Sequence, residues 1–148
     1  MQLSEHFTLE ELTYSAIAMR HGLDNTPNAV QIANLERLCV TLLEPARLIL
    51  GVPMHINSGF RAEMVNILVG STAKHSAHLD GRAVDIVPIG AALRNCFDSL
   101  RTNLKGYDQL IIECNAWIHL SIPDALEQPR GEALIAWGAP GNWKYAAA

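Results

Sequence analysis

The stretch Ser76-Ala77-His78-Leu79-Asp80-Gly81-Arg82-Ala83-Val84-Asp85-Ile86, with Trp117-Ile118-His119-Leu120-Ser121 downstream, decides how this chain is read. In both, apolar and polar residues alternate, the period of a strand with one buried face. Val84 and Ile86 point to one side, and Asp85 to the other with Ala83 and Val87. Ile118, Leu120 and Ile122 likewise leave Trp117, His119 and Ser121 on the opposite face. In Gln109–Cys114, Glu113 shares a face with Gln109 and Ile111. A hairpin turning at Asn115-Ala116 would open Asp85, Glu113 and His119 onto one side of a sheet. His78 joins them across the Leu79–Arg82 turn.

Two imidazoles and one carboxylate can supply three protein ligands to zinc, leaving a fourth tetrahedral position for water. That pattern belongs to catalytic rather than structural sites. A single strand histidine is usually structural, so His6, His21 and His55 are given no role. His75 competes with His78, but the Ser-x-His…Gly-x-Ala-x-Asp frame fits His78.

Outward from this centre, Thr8-Leu-Glu-Glu11 has the form of a capping box and opens a short helix running toward His21-Gly22. Asp24–Asn28 is a turn cluster. Apolar residues then recur at helical spacing from Ala29 to Leu50, with Pro45 expected to kink or divide the run. Met54–Ser58 is a short strand. A loop of small residues follows from Ser58 to Lys74, with a helical turn around Glu63–Leu68. Ala83–Val87 is the second strand and Gly90–Leu104 an amphipathic helix. After the hairpin strands comes a last strand over Ala133–Trp137. Helices first, then strands with one helix inserted, predict an α+β domain on a mainly antiparallel sheet. One domain spans 1–148, with its core over about 5–137 and residues 138–148 as a loose tail.

The 148 residues suffice for one core, and 49% are hydrophobic against 18% charged. A net charge of −4, without a basic cluster, argues against a nucleic-acid partner, because phosphate binding needs a cationic footprint. No apolar run approaches the roughly 20 residues that span a bilayer, so no membrane insertion is expected. The first residues show no basic segment followed by an apolar core, so no secretory signal is expected. Cys39, Cys96 and Cys114 are odd in number, widely spaced and read as free thiols in a reducing cytosol.

Ser58-Gly-Phe-Arg61, Val69-Gly-Ser71, Ser76-Ala-His78…Asp85-Ile and Trp117-Ile-His119-Leu-Ser121 together resemble the zinc D-Ala-D-Ala carboxypeptidase-like peptidases. Phe7–Leu12 and Asn57–Arg61 resemble the small single-domain members, many of them encoded by bacteriophages. The resemblance covers roughly residues 5–122. It implies the hedgehog/DD-peptidase fold, with zinc held by His78, Asp85 and His119. It also implies Glu113 as general base, and Arg61 and Ser76 as substrate contacts. Some branches place the acid three residues before the second histidine, which is Ala116 here. Asp108 is the next upstream acid after Glu113. Trp117 either walls the cleft or packs, and Ser121 and Asp80 are open as supporting partners.

The function so implied is hydrolysis of an amide bond in peptidoglycan stem or cross-bridge peptides, by a monomer. The runner-up is a catalytically silent zinc module that binds the wall or sits in a virion; a hydrolase using free cysteine has no motif to support it. A leaderless chain made in a host cytoplasm would reach the wall after release, as a lysis enzyme, or as a virion component.

Overall fold

The computed structural model describes residues 1–71 and 75–148. Residues 72–74, where the expected small-residue loop ends, lie outside the described residues. The capping box forms as expected. Thr8 accepts from the Glu11 N–H and the Glu11 carboxylate accepts from the Thr8 N–H, opening α1 (Leu9–Thr13). The helix does not run on to His21. Ser15 is extended and caps a separate helix, α2 (Ala16–His21), which ends on left-handed Gly22. The long apolar run divides into α3 (Ala29–Leu38) and α4 (Glu44–Leu50) around a π-helical turn at Cys39–Leu43. Pro45 has no N–H to donate to residue 41, and the Glu44 N–H reaches back to the Cys39 carbonyl instead. Proline is therefore accommodated by one widened turn. Glu44 also holds the N-terminal segment, accepting from Ser4 Oγ (2.7 Å) and the His6 N–H (2.8 Å).

Among the described residues, six strands form one sheet in the order β1-β2-β4-β3-β5-β6. These are β1 (Met54–Ser58), β2 (Ala83–Pro88), β3 (Gln109–Glu113), β4 (Trp117–Ser121), β5 (Glu132–Ala139) and β6 (Asn142–Ala147). All neighbours are antiparallel except β3 and β5. Two further helices complete the fold, α5 (Glu63–Leu68) and α6 (Leu93–Asn103). The α+β expectation holds. The tail does not stay loose: residues 138–148 carry the end of β5 and all of β6, paired from Leu134↔Ala147 to Ala139↔Asn142. Small residues at 146–148 conceal that strand from a reading based on periodicity. The β3–β4 turn also differs by one residue, because Cys114 and Asn115 take the left-handed conformation and the Ala116 N–H closes on Glu113 O at 2.9 Å.

Register sets the core. Ile56, Ile86, Ile118, Ile112 and Ile135 lie opposite one another across five strands. Val84, Leu120 and Leu110 form the adjoining row. Against this face pack Leu35 and Leu38 of α3, Leu42 and Leu43 of the π turn, and Phe97 and Leu100 of α6, all buried. Cys39 and Cys96 belong to that core, and burial pushes the Cys39 thiol up to about 12, so it is inert.

The segment leaving β1 is anchored by a residue the sequence showed only as part of a turn. Asn25 donates to the carbonyls of Thr13 (2.8 Å) and Phe60 (3.2 Å) and accepts from the Ala62 N–H (2.7 Å). A stripe on α3 does the same for the turn after His78 and for the segment after β4. Gln31 donates to Leu79 O, Asn34 to Asp80 O and Arg37 to Pro123 O, at 2.9, 2.9 and 2.8 Å. Each hydrogen bond contributes about 1 kcal/mol net. Asn25→Ala should therefore cost about 1–3 kcal/mol, read as a lower urea midpoint at unchanged slope. An unaltered midpoint would show that the clamp does not stabilise the fold.

Candidate metal centre

On the face opposite the isoleucine row, Asp85 of β2 lies directly across from His119 of β4, and Ser58 of β1 across from Asp85. A register irregularity between Ile56 and Ser58 brings Ser58 to that position. Bulges of this kind re-aim side chains beside sites. His78 arrives from the turn before β2. Its Nδ1 donates to the Gly59 carbonyl at 2.7 Å, which leaves Nε2 as the free lone pair. The Arg61 N–H returns to His78 O at 3.1 Å, so the two segments grip each other. Gly59 is required here, since a Cβ would strike the Leu12 carbonyl. Gly81 (φ +70°) turns the chain into β2, and a Cβ there would meet Gln31 O at 2.6 Å.

Donor atoms of His78, Asp85 and His119 all lie within 4.8 Å of one another. Asp85 Oδ1 is 3.4 Å from His78 Nε2 and 3.0 Å from His119 Nδ1. Ligand atoms each about 2.0–2.1 Å from a tetrahedral zinc stand about 3.3 Å apart. The set fits a divalent metal in donor chemistry and in spacing. The three are buried, and the imidazole centroids are 5.2 Å apart.

Electrostatics prepare Asp85 and His78 for ligation, whereas His119 must give up its proton to bind a metal. Burial opposes the charge of Asp85, but the two imidazoles outweigh it and hold the carboxyl far below the usual carboxylate range. Burial lowers the pKa of His78, and neighbouring Arg61 adds to that, so it stays neutral. His119 moves the opposite way: burial is overcome by its shorter hydrogen bond to Asp85. The asymmetry follows the two distances, 3.0 against 3.4 Å.

Glu113 stands opposite Trp117, and Ile111 opposite His119. Glu113 is thus the diagonal neighbour of His119, a relation that separates Cβ atoms by about 7 Å. Burial, then the charge of Asp85, raises its pKa, while His119 and a hydrogen bond from Trp117 Nε1 (2.8 Å) pull it down. Trp117 therefore holds the carboxylate instead of merely packing. Asp108 is engaged elsewhere, bound by Arg130 through Nε at 3.1 Å and NH2 at 2.6 Å.

Arg61 is largely buried, 3.8 Å from Asp85 Oδ2, and its Nε has no partner among the described residues. Ser76 Oγ accepts from the His78 N–H at 3.3 Å, so it caps the turn that carries the histidine. Ser121 and Asp80 are used outside the cluster: Ser121 Oγ accepts from the Gln109 N–H and Asp80 pairs with Arg82. His75 is exposed and outside the donor set. His6 pairs with Glu44 at 2.8 Å. Asn25 and the Gly59 carbonyl are the positioning groups that sequence reasoning missed. Neither leaves a periodic trace, because each acts on a backbone distant in sequence.

A His-Asp-His donor set with this spacing could hold a divalent metal ion. The Peptidase M15 family model matches residues 5–121, and the chain belongs to that family of zinc-dependent, D-Ala-D-Ala carboxypeptidase-like peptidases. No curated protein matches this chain.

His119→Ala should lose most of its bound metal on elemental analysis, and full occupancy would exclude His119 as a ligand. Trp117→Phe removes a donor that favours the charged form of Glu113. The acid limb of kcat/KM should therefore move to higher pH. An unmoved limb would detach Glu113 from that titration.

Proposed function

We propose that this protein is a zinc metallopeptidase that hydrolyses an amide bond in bacterial peptidoglycan peptides, with His78, Asp85 and His119 as metal ligands. What carries the reading is Glu113, held by Trp117 at a diagonal step from His119 with its pKa raised. Family membership supports the reaction class. His78, Asp85 and His119 would hold the zinc ion, which would polarise the scissile carbonyl and acidify a water toward neutral pH.

This chain's residues supply the remainder. Glu113 takes the proton from the attacking water and delivers it to the departing amine nitrogen. Burial raises its pKa above the ordinary carboxylate range, which strengthens it as a base for the first transfer. Trp117 restrains one carboxylate oxygen and leaves the other for the proton. Arg61, whose side chain keeps 14% of its surface exposed, offers its guanidinium to the substrate's carboxylate, where the planar group binds two oxygens together. Its burial makes that charge pairing stronger than at the surface. Ser76, fixed on the His78 turn, is the second substrate-side contact. Stem or cross-bridge peptides of the wall provide both an amide and a carboxylate. No helix among the described residues is long and apolar enough to cross a membrane. The enzyme works as a monomer on the wall, reaching it after release from a host or within a virion.

Glu113→Gln keeps the shape of the side chain but cannot accept a proton. Hydrolysis of purified wall peptides should fall by about 10²–10⁴ while zinc content and melting temperature hold. Equal rates for the two proteins would remove Glu113 as the base. Zinc-loaded wild type that cleaves no wall peptide would leave a binding module in place of an enzyme.

A further inference from the structure

The β5–β6 hairpin lies beyond residues 5–121, yet it extends the face that bears the donor set. Tyr145 of β6 lies opposite Ala136 of β5, Ala136 opposite Glu113 of β3, and Glu113 opposite Trp117 of β4. These four residues form one row, two residues along from the row of His119 and Ile111. Strand alternation puts all four side chains on the side of Asp85 and His119.

Ala136 is only 2% exposed, whereas Tyr145 is 53% exposed. The alanine methyl is too short to stand between its larger neighbours, so the phenol can lean across it toward Glu113. The hairpin tip meets the other border of the site. A Cβ on Gly70, just beyond α5, would lie 2.9 Å from Pro140 Cβ. The hairpin tip therefore meets the segment that follows Arg61.

We propose that the β5–β6 hairpin is one wall of the substrate cleft and that Tyr145 contacts bound peptide beside Glu113. Its ring would lie against the peptide, with the hydroxyl donating to a peptide carbonyl. This rests on the metallopeptidase reading of the donor set. Partial burial and the nearby Glu113 charge raise the phenol pKa, so the hydroxyl keeps its proton as a donor at neutral pH.

The test uses zinc-loaded full-length protein and two metal-directed probes, alanyl-alanine hydroxamate and acetohydroxamate, with binding measured by calorimetry. The dipeptide probe extends along the cleft, and acetohydroxamate reaches only the metal. Tyr145→Phe should weaken the dipeptide probe about 5-fold, the size of one net hydrogen bond. Tyr145→Ala should weaken it tenfold or more as the ring contact is also lost. Acetohydroxamate affinity, zinc content and melting temperature should match wild type. Unchanged dipeptide binding in both variants overturns the assignment while the zinc site stands. Equal weakening of both probes overturns it too, since the effect would then act through the metal. If the variants behave as expected but wild type cleaves no wall peptide, the substrate reading falls and Tyr145 remains a cleft residue. A protein that binds no zinc removes both.

Discussion

Strand register is the constraint on which this structure depends. Ile56, Ile86, Ile118, Ile112 and Ile135 face one another across five strands, and Asp85 faces His119 one residue away on the other side. Side chains alternate strictly along a strand, so a slip of one residue would send Asp85 and His119 into the helix-packed core. It would also put the isoleucines in their place. Burying unpaired ionisable groups is strongly unfavourable, and exposing branched aliphatics forfeits their burial. The hydrophobic row thus holds the polar row in place from behind. Helices α3 and α6 and the π turn cover the first row, while Asp85 and His119 are buried on the opposite face.

The opposite face concentrates charge in a way that only mutual compensation allows. Asp85 is buried between two imidazoles and Arg61, and Glu113 is half-buried close by. Taken singly, each ion would meet a desolvation cost of several kcal/mol. Together they lower the cost for one another unevenly. Asp85 is held ionised and His78 neutral, while the pKa of Glu113 rises. Two carboxylates on one face are thereby given opposite shifts, Asp85 downward and Glu113 upward. The difference comes from position: Asp85 sits between two histidines, and Glu113 lies diagonal to one of them.

Backbone clamps keep these groups in register with the loops. His78 is not on a strand, and its ring is oriented by the Gly59 carbonyl. Asn25 holds the segment after Gly59, and Gln31 and Asn34 hold the turn after His78. Helix α3 therefore has two faces with separate duties, an apolar one for the core and a polar one for the site's supporting turns. This explains why a helix remote from the chemistry carries amides at three-residue spacing.

Much of this was legible in the sequence where local rules apply. The Thr8 capping box, the strands around Asp85 and His119, and the sorting of Glu113, Asp85 and His119 onto one face follow from periodicity and side-chain chemistry. So does the break imposed by Pro45, though not its form as a π turn. Tertiary structure decided what depends on distant partners. It split the first helix at Ser15, ordered residues 138–148 as a strand, tied Asp108 to Arg130 and gave Trp117 its bond to Glu113. The division has one physical reason. Alternation and capping are set by neighbours along the chain, whereas a pKa, a hydrogen bond from Asn25 or a row from Trp117 to Tyr145 exists only once distant strands are side by side.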